Sequence, residues 1–182
     1  MYKVIANTYN KRLKSDKVPI EAKKLGPNKT RFHLNNINNS KQKNDVTEID
    51  LTKSDISQLK SSDFDFPNLR CLKLSQSTNG EHPANIISLI NGLPDHIKES
   101  LEELHVSGCY VIHTDVDNES DVKRCIELGS FKNLKVLDLS YTLNRMYEPK
   151  INVVPREAYI TPIIEDLHPN AKAAITYLDL SQ

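Results

Sequence analysis

Three cysteines, six histidines and 24 acidic residues are the side chains from which this chain could assemble a metal site or an activated nucleophile. His105, Cys109 and His113 stand four residues apart, a spacing that gathers ligands on one face of a helix. The surrounding pattern is that of a strand end followed by a loop, where the three side chains diverge, so no metal is expected there. Cys109 reads as a small core residue that also bonds backbone. Cys71 and His105 fall on neighbouring predicted strands, as a thiol beside a base would. No orienting acid or oxyanion hole is identified with them, and the five glycines form no phosphate-cradling loop. A chain without enzymatic activity, cofactor or metal is the expectation. The odd cysteine count without a CxxC pair points to free thiols in a reducing, cytoplasmic compartment.

The other chemical signal is charge. Residues 1–45 carry eleven Lys or Arg against three acids, a net of +8, while residues 46–182 carry thirteen against twenty-one, a net of −8. A basic terminal segment therefore precedes an acidic body. Its run Lys11-Arg12-Leu13-Lys14, with Lys17, Lys23 and Lys24, would suit nucleic acid or an anionic surface. Aromatic interleaving of the stacking kind is absent, because Tyr2 and Tyr9 belong with Ile5 and Leu13 to one apolar helical stripe. A basic N-terminal cap over residues 1–45 is the preferred reading, with nucleic-acid binding the alternative. The chain lacks the long apolar run of a membrane span.

These side chains must be positioned by a fold, and 182 residues with 38% apolar and 26% charged content can bury the core of one domain. An apolar triad at positions 0, 3 and 5 recurs five times. It comprises Val46/Ile49/Leu51, Leu69/Leu72/Leu74, Leu101/Leu104/Val106, Leu134/Leu137/Leu139 and Ile175/Leu178/Leu180. Position 6 is always a hydroxyl residue, Thr52, Ser75, Ser107, Ser140 or Ser181, and position 8 is Ser54, Ser77, Cys109 or Thr142. Two repeats share a lead-in, Phe66-Pro67-Asn68-Leu69 and Phe131-Lys132-Asn133-Leu134.

With VTEIDLTKSDI, LRCLKLSQSTN, LEELHVSGCYV, LKVLDLSYTLN and the shorter ITYLDLSQ, residues 46–182 resemble the leucine-rich repeat family, in its long, ribonuclease-inhibitor-like subclass. The resemblance implies an α/β solenoid with repeats starting near 46, 69, 101, 134 and 175 and a curved parallel sheet of about five strands. Helices and loops would lie on the convex side. It also implies protein recognition, with a substrate-recognition part of a ubiquitin ligase complex or an effector-like protein as more specific roles. Covering helices are predicted over residues 84–92, from Ser120 to Gly129, and from Pro162 to Leu167 capped by Thr161. Residues 57–66 have room for a turn of helix, residues 143–160 read as an irregular insertion, and Phe32 and Leu34 as a capping strand. The array is expected to continue beyond the chain, which would otherwise expose an edge strand prone to self-association.

Strand alternation then assigns a partner-binding face. Glu48, Asp50, Lys73, Glu103, His105, Asp138, Tyr177 and Asp179, with Tyr141 beside them, are the predicted contact residues, the acids favouring a basic protein surface and the tyrosines acting as anchors.

Overall fold

The computed structural model describes residues 2–5, 41–79, 82–114, 123–146 and 157–181. In chain order the strands are β1 (Tyr2–Ile5), β2 (Val46–Asp50), β3 (Cys71–Lys73), β4 (Thr78–Asn79), β5 (His82–Pro83), β6 (Glu103–His105), β7 (Tyr110–Thr114), β8 (Lys123–Cys125), β9 (Val136–Asp138), β10 (Leu143–Met146) and β11 (Tyr177–Asp179). Six of them form one sheet in the order β1-β2-β3-β6-β9-β11, and every neighbouring pair is parallel. The fold is α/β.

The sequence spacing sets this register. Ile49, Leu72, Leu104, Leu137 and Leu178, the middle residues of the five triads, lie side by side across the sheet. In the first four triads all twelve side chains are at most 1% exposed. Parallel strands need long crossovers, and these supply the second layer of the core: Phe64, Phe66, Ile86, Ile90, Ile97 and Phe131 join the triads in one cluster. The shared lead-in has a physical basis. Phe66 and Phe131 are fully buried, and the Asn68 and Asn133 side-chain amides donate to the backbone oxygens of Asn44 and Glu99 one repeat earlier, both at 2.7 Å.

Strands β2, β3, β6 and β9 end in the same turn. The amide at position 8 donates to the carbonyl at position 5: Ser54 to Leu51, Ser77 to Leu74, Cys109 to Val106 and Thr142 to Leu139, at 3.0–3.4 Å. Position 7 is left-handed every time, with φ of 60° at Lys53, 55° at Gln76, 69° at Gly108 and 51° at Tyr141. That conformation lets the position 7 amide reach the next repeat, as in the bonds from Lys53 to the Ser75 oxygen at 2.9 Å and from Tyr141 to the Ser181 oxygen at 2.8 Å.

Several expected elements differ. Tyr2–Ile5 is a strand rather than the start of a helix, giving the sheet a sixth member, because its aromatic and β-branched residues suit pairing along β2. The rest of the expected stripe, and the capping strand at Phe32 and Leu34, lie outside the described residues. Lys41–Asp45, at the end of the basic segment, forms a 3-10 helix, and Ser61–Phe64 forms the anticipated single turn. The helix predicted over residues 84–92 is shorter, α1 (Ile87–Asn91), and a second, α2 (Asp95–Ser100), follows it. Instead of a helix before Gly129, Lys123–Cys125 pairs antiparallel with β7, whose Tyr-Val-Ile run favours a strand. Leu143–Met146, within the expected insertion, adds β10 to the other side of β7. Helix α3 (Glu157–Asp166) runs through Pro162, because burying Ile160, Ile163 and Leu167 outweighs one lost backbone bond, and α4 (Pro169–Ala174) follows. Among the described residues no helix is long and apolar enough to cross a membrane.

Candidate functional site

Alternation along each strand turns the side chains flanking the Ile49 row to the opposite face of the sheet. Register then aligns them in two rows. One contains Glu48, Cys71, Glu103, Val136 and Tyr177, the other Asp50, Lys73, His105, Asp138 and Asp179. Eight of the nine predicted contact residues stand in these rows. Tyr141 stands apart from them in the turn after β9, 59% exposed.

The face is knitted together rather than lined with independent charges. Lys73 Nζ donates to Glu48 Oε1 at 3.0 Å across the β2–β3 pair. Burial works against its charge, but the bond to Glu48 and the surrounding negative potential hold its pKa above the ordinary lysine value. Tyr177 Oη donates to Asp179 Oδ2 at 3.0 Å, a bond that raises the phenol's pKa. The aspartates also terminate strands: Asp50, Asp138 and Asp179 each accept, through Oδ1, the amide two residues on, from Thr52, Ser140 and Ser181 at 2.9–3.0 Å. This Asx-type closure links position 4 to the hydroxyl residue at position 6, which sequence reading had treated separately.

At the centre lies a thiol, carboxylate and imidazole group. Cys71 Sγ is 3.4 Å from Glu103 Oε2, His105 Nε2 is 3.5 Å from the same oxygen, and His105 Nδ1 is 3.8 Å from Asp138 Oδ2. Burial, reinforced by the negative charge of Glu103, pushes the Cys71 thiol up to about 12. It is a neutral donor to a carboxylate, the reverse of an activated nucleophile. Glu103 is the acid that sequence reading did not place beside Cys71 and His105. Cys109, expected as a core residue that bonds backbone, is buried away from this group, its thiol bonded to the Leu74 carbonyl at 3.1 Å. A separate cleft of about 320 Å³, bordered by Leu59, Lys60, Ser61, Asn79 and Asn85, has no carboxylate, imidazole or thiol among the described residues that line it.

No protein-family model, curated protein or solved structure matches the chain.

Proposed function

We propose that this chain is a protein-recognition module of the leucine-rich repeat type, without catalytic activity, whose half-exposed strand face binds a basic protein surface. One observation carries the reading: the shared register aligns Glu48, Asp50, Glu103, Asp138 and Asp179, from four strands, on one face of the sheet, where they outnumber Lys73, which is bonded to Glu48, and Lys3, which stands beside Glu48 on β1. Clustered acids on a rigid sheet raise the encounter rate with a basic partner and set its orientation. Tyr141 and Tyr177, 59% and 49% exposed at one end of the face, offer amphipathic contact area.

The test uses asparagine rather than lysine, because Asn retains the oxygen that closes each strand end and removes only the charge. Affinity capture is compared quantitatively between the intact chain and an Asp50→Asn, Asp138→Asn, Asp179→Asn triple variant. Loss of the captured partners, with association in the intact chain slowing as salt rises, is the expected result. Equal capture by both proteins would remove the face from consideration.

A further inference from the structure

We infer that Cys71, Glu103 and His105 form a binding site for one zinc-class divalent ion, with Asp138 orienting the imidazole. The donors come from two adjacent strands. Register sets Cys71 directly beside Glu103, and alternation returns His105 to the same face two residues later. Their ligand atoms all lie within 4.8 Å of one another. A tetrahedral ion with bonds of about 2.0–2.3 Å needs donor separations of about 3.3–3.8 Å. The sulfur to oxygen distance is 3.4 Å and the nitrogen to oxygen distance 3.5 Å, close to two of the three edges required, and the sulfur and nitrogen lie within 4.8 Å of each other.

The donor set also selects the ion. Thiolate, imidazole and carboxylate together suit Zn²⁺ or Co²⁺, whereas Mg²⁺ and Ca²⁺ take oxygen ligands. The Asp138 carboxylate stands 3.8 Å from Nδ1, a little beyond hydrogen-bond length, and a small approach would let it hold the ring with Nε2 turned to the metal, the arrangement that raises imidazole basicity in metal centres. Cys71 is enclosed, 8% exposed, while the Glu103 side chain is 45% exposed, so solvent reaches the site from the glutamate side and supplies a fourth ligand. Lys73, the neighbouring cation, is neutralised by Glu48. On binding, the Cys71 S–H bond breaks, its proton goes to solvent, and the sulfur electron pair is donated to the ion, with no change in oxidation state.

Cobalt titration of the reduced full-length chain tests this. One Co²⁺ per chain should bind with a thiolate-to-cobalt charge-transfer band and the intense visible bands of tetrahedral cobalt, and Zn²⁺ should displace it. Cys71→Ser should abolish the charge-transfer band, while Cys125→Ser should retain it. Glu103→Gln, at a half-exposed position outside the core, provides a variant free of packing effects and should weaken binding at least tenfold. Asp138→Asn should keep the band but lower affinity about 10- to 100-fold. The absence of a charge-transfer band in the intact chain, its survival in Cys71→Ser, or unchanged affinity in Glu103→Gln would overturn the site, and unchanged affinity in Asp138→Asn would overturn the orienting role.

Discussion

The Cys109 thiol reaches back one repeat and donates to the Leu74 carbonyl oxygen at 3.1 Å, just as Ser77 Oγ lies 3.4 Å from the Leu51 oxygen of its own preceding repeat. Position 8 is thus a buried polar row, in which Thr142 Oγ1 donates instead within its own repeat, to Leu139 O at 2.8 Å. Its first member differs: Ser54 Oγ is fully buried and has no hydrogen-bond partner among the described residues. Removing a bonded group and removing an orphan should have opposite signs. Cys109→Ala is expected to cost about 1–2 kcal/mol through the lost bond and the small cavity, and Ser54→Ala to stabilise by about 1 kcal/mol. Urea unfolding of the two variants checks both. Burial also pushes the Cys109 thiol up to about 11, so its alkylation in the native chain at neutral pH should be much slower than in the unfolded chain.

Position 7 gives a second pair of opposed outcomes. A left-handed conformation costs a non-glycine residue about 1–2 kcal/mol, while glycine adds about 0.4–1 kcal/mol of unfolded-state entropy. Lys53→Gly at φ 60° should therefore stabilise by about 0.5–1 kcal/mol. Gly108→Ala should destabilise by about 1–2 kcal/mol, because its φ is 69° and its new Cβ would sit 3.2 Å from Gln76 Cγ. Thermal unfolding of both variants should show melting temperatures moving in opposite directions.

These turns mark where sequence reading succeeded and where it stopped. Triad spacing specified which residues would be neighbours in the sheet, since Ile49 and Leu72 had to be buried on one face for any packed fold to form. Of the four left-handed residues only Gly108 carried a local signal; Lys53, Gln76 and Tyr141 are held there by bonds to the next repeat. Strand β1 is not legible in the sequence because Tyr2 and Ile5 fit a helical stripe equally well, and only pairing with residues more than forty positions later decides between them. The two rows of the candidate site were legible for the same reason as the core. The grouping of Glu103 with Cys71 and His105 was not, because it needs the distances between side chains on two strands.

A pH effect follows from Asp65, whose carboxylate accepts from Lys43 Nζ at 2.7 Å and lies 3.0 Å from His96 Nε2. The Lys43 hydrogen bond, with the charges of Lys43 and His96, lowers its pKa despite the opposing effect of partial burial. A folded pKa below the unfolded value stabilises the native chain above about pH 4, and that contribution is lost as pH falls through the folded pKa. Solvent screening limits it to a few tenths of a kcal/mol. Asp65→Asn should lower stability slightly at pH 7 and converge with the parent chain near pH 2, which paired urea titrations across that range would reveal.

The fifth triad breaks the burial rule of the other four. Leu178 and Leu180 are 41% and 37% exposed, although Leu137 and Leu139 on the adjoining repeat are fully buried. Leu178 sits on β11, the last strand in the sheet order, and Leu180 follows directly after it, both close in sequence to the exposed Tyr177. Complete burial of a leucine is worth about 1.5–3 kcal/mol, so covering the remaining surface of both is worth on the order of 1–2 kcal/mol before any backbone bonds are added. A two-fold symmetric pair of identical edge strands runs antiparallel, which would bring the exposed leucines of two copies together. The chain should therefore self-associate as its concentration rises, and a Leu178→Lys, Leu180→Lys variant should sediment as a monomer over the same range. If the parent chain also sediments as a monomer at every concentration reached, its edge does not pair with a second copy.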